Sequence, residues 1–143
     1  EKNGAEVKVT TPEKHDEMMS IIQGLNHFSA LSIAHAMKNL GVSVEESLQY
    51  SSPIYKLRIM MVGRILNQAP GLYASIEIDN QKNRKVIASY LKSAKDLQKI
   101  VKTKNKKEFL KYFNDCAGYF GNFKKDAEQL SDYLIEQMVK REK

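Results

Sequence analysis

The sequence predicts an all-α protein: a helical domain of about six helices, two of them long, preceded by a short leftover strand. Three observations carry that expectation. Glycine and proline punctuate the first half of the 143-residue chain and then nearly vanish, with none from Leu72 to Ala117 and none from Asn122 to Lys143. Apolar residues recur at helical spacing through most of the chain. Helix-start signals, a cap residue followed by proline or by an acid three positions on, recur at Thr11, Ser43, Ser52 and Asn105.

In chain order, Ala5-Glu6-Val7-Lys8-Val9-Thr10 alternates in strand fashion, but no sheet follows for it to join, so it reads as an edge of something larger. Thr11 is an N-cap, Pro12 fits the first helical position and Glu13 adds negative charge to the first turn, so a helix starts here and ends at Gly41. Met18, Ile21, Ile22, Leu25, Phe28, Ile33, Ala36 and Leu40 form its apolar side. At roughly 30 residues it is about 45 Å long. Ser43-Val44-Glu45-Glu46 is a capping-box pattern for a short second helix, and Ser52-Pro53 opens a third that runs to about Asn67. Pro70 opens a fourth, through about Ile78. A fifth follows Asn80, with Val86, Ile87, Tyr90, Leu91, Ala94, Leu97, Ile100 and Val101 on its buried side. Asn105-Lys106-Lys107-Glu108 caps a sixth, which carries Phe109, Phe113, Phe120, Leu130, Leu134 and Met138 and can bend at Gly118 and Gly121. No internal repeat or low-complexity linker interrupts the pattern.

Composition excludes several functions. The single Cys116 cannot close an intrachain disulfide, which points to a reducing compartment, the cytosol. Apolar runs of a few residues fall far short of the roughly 20 needed to span a bilayer, and no signal-peptide pattern opens the chain, so no membrane partner is expected. A glycine-rich phosphate loop, a G-x-S-x-G elbow, an H-E-x-x-H helix and a metal-spaced Cys/His cluster are all missing, so these residues carry no complete catalytic kit.

The third helix is the most informative. Ile54, Tyr55, Leu57, Ile59, Met60, Met61, Val62, Ile65 and Leu66 put apolar side chains all the way round it, which predicts burial on most sides. Arg64 stands above Leu57, Met60 and Met61, an expensive place for a guanidinium without an anion. No Asp or Glu occurs between Glu46 and Glu77. The partner is therefore a carboxylate distant in sequence or a ligand carboxylate gripped by Arg's fork, and spacing alone favours the internal pair. His27 lies in a stripe with Ser20, Gln23, Ala30 and Ala34, which leaves room for a ligand or another chain; a half-exposed histidine with no task is the simpler reading. His15 beside Asp16 reads as helix-end electrostatics, His35 has no distinguishing neighbour, and Cys116 among aromatics reads as a small core residue.

Between Lys82 and Lys125 there are 13 basic residues against Asp96, Glu108 and Asp115, so the local charge of +10 exceeds the chain's +6. A stand-alone basic module binding nucleic acid is one reading. Lys85, Lys92, Lys95, Lys99, Lys102 and Lys106, however, follow helical spacing opposite the apolar side without an aromatic stacking platform, which favours a solvated lysine face and no nucleic-acid partner.

Several motifs together resemble the C-terminal region of prephenate dehydrogenases: Gly4-Ala5-Glu6-Val7, Thr11-Pro12-Glu13-Lys14-His15-Asp16, Gln23-Gly24-Leu25-Asn26-His27-Phe28, Ser52-Pro53-Ile54-Tyr55-Lys56-Leu57 and Met61-Val62-Gly63-Arg64-Ile65-Leu66. Gln68, Pro70, Leu72, Tyr73, Ala74 and Ile76 continue the match, which covers essentially the whole chain and is most specific over residues 4–78.

The resemblance implies a two-domain enzyme of tyrosine biosynthesis that decarboxylates prephenate oxidatively to 4-hydroxyphenylpyruvate, with NAD or NADP and the catalytic histidine in an N-terminal domain. Residues 1–10 then become the terminal strand of that nucleotide-binding domain, and residues 11–143 the helical domain that forms a homodimer and binds substrate. By position, Arg64 matches the arginine that holds a prephenate carboxylate, and His27 a histidine lining the substrate pocket, with Gln23 one turn earlier. Lys56 stands where relatives often carry arginine, so charge persists while the bidentate grip is lost. Tyr73 falls at the pocket rim. Ala69 departs from a common Gln-Asp-Pro segment, which puts the turn after the third helix in doubt. Tyrosine is implied as a further ligand, arogenate as an alternative substrate, and the 143 residues alone are expected to be inactive.

Overall fold

The computed structural model describes residues 7–141. Among these, every regular element is a helix and no strand is formed. Residues 7–10 of the expected leading strand are exposed and irregular, as a strand without a pairing partner must be, and Ala5 and Glu6 lie outside the described residues.

Helix α1 (Pro12–Met19), a π-helical segment (Ser20–Leu25) and helix α2 (Asn26–Leu40) run on without interruption as the expected first helix. Thr11 Oγ1 accepts the Lys14 N–H at 3.2 Å, and Gly41 ends the rod in the left-handed region at φ 70°. Ser43 Oγ accepts the Glu46 N–H at 3.0 Å to start α3 (Val44–Gln49), and Ser52 Oγ accepts the Tyr55 N–H at 3.3 Å to start α4 (Pro53–Leu66). Helices α5 (Pro70–Asp79) and α6 (Asn83–Lys102) follow. Asn105 Oδ1 accepts the Glu108 N–H at 3.1 Å at the head of α7 (Lys106–Phe120). The expected sixth helix is in fact two, because Gly121 at φ 54° and ψ −134° adopts a backbone that side chains disfavour and α8 (Phe123–Arg141) restarts beyond it. Gly118 stays within α7.

The chain divides into two compact units, one comprising the described residues up to Gly41 with Val62–Tyr90, the other Val42–Met61 with the described residues from Leu91 onward. In the first unit the π segment packs on α1, α2 and α5, and α2 packs on α5. Its fixed point is Asn83, 1% exposed, whose Nδ2 donates to the carbonyls of Ile76 at 2.8 Å and Glu77 at 3.1 Å. Those carbonyls belong to the last turn of α5, where a helix has no internal donors left. Gly24, in the π segment, allows this amide to close in: a Cβ there would stand 2.7 Å from Asn83 Cγ. Asn80 Nδ2 adds a bond to the Asp16 carbonyl at 2.9 Å, tying the end of α5 to α1.

In the second unit α7 packs on α8, and the Phe120 and Phe123 rings lie 6.3 Å apart across the break.

Three burial expectations are corrected. Helix α4 buries Ile59 and Val62, but Ile54, Met60, Met61 and Leu66 are more than half exposed, and Arg64 is exposed as well. On α6, Val86, Ile87, Tyr90, Leu97 and Ile100 are half-buried while Leu91, Ala94 and Val101 are exposed. Cys116 is exposed rather than in a core, and Phe113, Phe120, Leu130 and Leu134 stand open with it. The common cause is that one chain has too few layers to cover every apolar face its helices present. The lysines of α6 are exposed as expected.

Candidate ligand site

The π segment, α2 and α5 of the first unit build the site. A π turn closes its ladder one residue later than an α turn, which changes the register between the faces of α1 and α2; such turns recur at functional sites. His27 sits in the first turn of α2, just past this shift. Tyr73 and Glu77 are one turn apart on α5 and share a face.

The three side chains meet. The His27 and Tyr73 rings pack edge-on, centroids 4.6 Å apart at 67°. His27 Nδ1 stands 3.7 Å from Glu77 Oε1, with the two side chains only 12% and 15% exposed. Neither Nδ1 nor either Glu77 carboxylate oxygen has a hydrogen-bond partner among the described residues. Burial pushes the His27 imidazole below its ordinary value and the Glu77 carboxyl above its own. At 3.7 Å, with no hydrogen bond formed, desolvation is the prevailing cause of both shifts.

Tyr73 and Glu77 also line a hollow of about 310 Å³, walled by Leu31, Ile65, Leu66, Pro70, Ala74 and Ile78, with Gln68 as a polar exception. A space of this size and lining has room for one ring-bearing small molecule, with the Tyr73 ring in its wall.

Of the residues expected to bind, His27 and Tyr73 come together here. Gln23 instead lines a separate hollow of about 360 Å³ with His15, Asp16, Met19, Ser75, Ile76, Asp79 and Asn80. Arg64, near the end of α4, lines neither hollow and forms no ion pair with a described residue. Lys56 is half-buried in the second unit. His15 pairs with Asp16 at 3.3 Å on the surface, as the helix-end reading anticipates. Glu77 was not anticipated, although it is the first acid after Glu46 and interrupts the apolar run of α5. Asn83 carried no sequence signal at all beyond the mid-helix glycine that accommodates it. No cluster of three His, Cys, Asp or Glu able to hold a metal exists among the described residues, and no helix there is long and apolar enough to cross a membrane.

A pH dependence follows from His27. Its folded-state value lies below the unfolded 6.5, so the folded chain binds fewer protons there and loses stability as pH falls through the unfolded value. Acidification from about pH 7.5 to 5.5 is expected to lower the unfolding free energy of the parent more than that of His27→Asn, as measured by urea titration. Equal losses in the two proteins would contradict the burial of a neutral imidazole.

Residues 11–115 match the family described as prephenate dehydrogenase, dimerization domain. The chain is 39% identical over 134 residues to the probable arogenate/prephenate dehydrogenase of Methanocaldococcus jannaschii, covering 94% of this chain and 30% of that protein. It is 31% identical over 122 residues to the T-protein of Enterobacter agglomerans, covering 85% of this chain and 33% of the relative. Against the T-protein of Haemophilus influenzae the identity is 28% over 134 residues, covering 94% and 36%. The chain thus spans about a third of the length of these relatives. By its match over most of its length, the chain belongs to the prephenate dehydrogenase dimerization-domain family.

Proposed function

We propose that the chain is the C-terminal domain of a dehydrogenase of tyrosine biosynthesis, where it forms a homodimer and supplies substrate contacts for oxidative decarboxylation of prephenate to 4-hydroxyphenylpyruvate. The observation that carries this reading is Tyr73, which lines an apolar hollow sized for a single ring and packs edge-on against His27. Arogenate, named together with prephenate for the archaeal relative, is the alternative substrate. Tyrosine, with a similar ring and carboxylate, is a candidate competitor for the same hollow.

In this reading Arg64 holds a substrate carboxylate. Its guanidinium is exposed and forms no ion pair with a described residue, so a ligand carboxylate can reach it. His27 and Tyr73 flank the ring. NAD or NADP accepts the hydride in this reading, and its pocket belongs to a separate nucleotide-binding domain of the whole dehydrogenase. Binding and orientation of the dicarboxylate are what this chain contributes. The uncovered apolar side chains of α4, α7 and α8 support dimerisation, because a second copy removes them from water.

The test is steady-state kinetics on the whole dehydrogenase carrying Arg64→Ala. A raised KM with an unchanged dimer mass supports the reading, and an unchanged KM overturns it.

A further inference from the structure

We propose that Glu77 is the positioning residue of His27: its carboxylate takes the Nδ1 side of the imidazole and so presents the opposite nitrogen, Nε2, to the ligand of the hollow. This deepens the substrate-binding reading above and rests on it for the identity of the ligand.

The argument begins with three orphaned atoms. Nδ1 of His27 and both carboxylate oxygens of Glu77 are buried and unbonded, and Nδ1 and Oε1 face each other at 3.7 Å. Buried polar groups are almost always satisfied, and these have one another within a small closing movement. Contacts of this kind are often long in a ligand-free site and tighten when it is filled. Tyr73, packed edge-on against His27 one turn before Glu77, holds the ring so that the movement is a shift of the carboxylate rather than a swing of the imidazole.

The electrostatic surroundings are sparse. The π segment contains no titratable residue; α2 offers His35 and Lys38 besides His27, α5 offers Asp79 besides Tyr73 and Glu77, and the start of α6, whose Asn83 bonds the Glu77 carbonyl, offers Arg84 and Lys85, both exposed. His35, Lys38 and Asp79 are exposed. Glu77 is therefore the one buried carboxyl that faces His27 among the described residues of these elements. With Nδ1–H donated to Glu77, neutral His27 offers a lone pair at Nε2, and an anionic ligand there draws a proton onto Nε2 that Glu77 stabilises from behind.

Nitrogen-15 NMR of the labelled 143-residue chain tests this. The neutral His27 of the parent is expected as the Nδ1–H tautomer, against the Nε2–H form that free histidine prefers. Glu77→Leu removes the acceptor and is expected to return His27 to Nε2–H. Glu77→Gln keeps an acceptor but no charge, so the tautomer is retained while the His27 titration midpoint falls by roughly one pH unit. A parent already in the Nε2–H form overturns the proposal even if neither variant folds. So does a variant pair that leaves tautomer and midpoint unchanged. Adding 4-hydroxyphenylpyruvate to the parent separates the two readings: resonances of His27 and Tyr73 that do not move overturn the pocket assignment, whereas the ligand-free tautomer decides the role of Glu77.

Discussion

Arg64→Ala in the whole dehydrogenase is expected to weaken substrate capture by about 2–5 kcal/mol, a rise in KM of roughly 30-fold or more. The size of the effect comes from the environment the side chain enters on binding. In the single chain its guanidinium is exposed and pairs with no described carboxylate, so it is accessible to a ligand. A dicarboxylate that docks against it is desolvated together with it, and deletion of the cation then leaves a carboxylate without a counter-charge. Arg64→Lys separates charge from geometry: the charge survives while the two-pronged contact is lost, and about half of the deficit is expected to return. A KM within twofold of the parent in Arg64→Ala would show that the carboxylate lies elsewhere.

Gly24→Ala is expected to destabilise the chain by about 2 kcal/mol, seen as a fall in Tm of roughly 4–8 °C. A mid-helix Gly→Ala change normally stabilises by up to about 1 kcal/mol, and the backbone at Gly24 accepts alanine, so the expected sign is opposite to the helix-propensity rule. The reason is steric. The new Cβ would press on the Asn83 amide, which cannot move aside without surrendering its bonds to the Ile76 and Glu77 carbonyls. Loss of those bonds leaves buried acceptors unpaired at about 1–3 kcal/mol. A double-mutant cycle isolates the contact: in an Asn83→Ala background the Gly24→Ala change is expected to be neutral or stabilising. The same destabilisation in both backgrounds would mean that Gly24 is needed for some reason other than Asn83. Since Glu77 lies in the turn that Asn83 closes, this small contact also sets where the carboxylate stands relative to His27.

The helices were legible because their ends are written locally. Thr11, Ser43, Ser52 and Asn105 each accept the backbone N–H three residues on, as their residue types require. Gly121 was visible as a bend but not as a full break, because a glycine's sequence neighbours do not reveal its φ and ψ. The π segment was illegible for a similar reason: Gly24 looks like any helical glycine until Asn83, 59 positions away in the chain, is seen to need its missing side chain.

Burial was the poorest inference. Apolar side chains all the way round α4 predicted enclosure, and the enclosure is missing on the sides where Met60, Met61 and Leu66 stand open. The periodicity of a sequence records every surface a helix must cover, including those covered by another chain, and does not say which is which. Among the site residues, His27 and Tyr73 were found through the family resemblance and meet in space, whereas Glu77 was passed over because a single acid on a helix ordinarily faces water.

That uncovered apolar surface leads to the most direct test. Sedimentation equilibrium of the 143-residue chain at micromolar concentration is expected to give twice the 16.4 kDa monomer mass. A stable monomer under those conditions, with Met60, Met61, Phe113 and Leu130 still facing water, would contradict the account of this chain as the domain that joins two subunits.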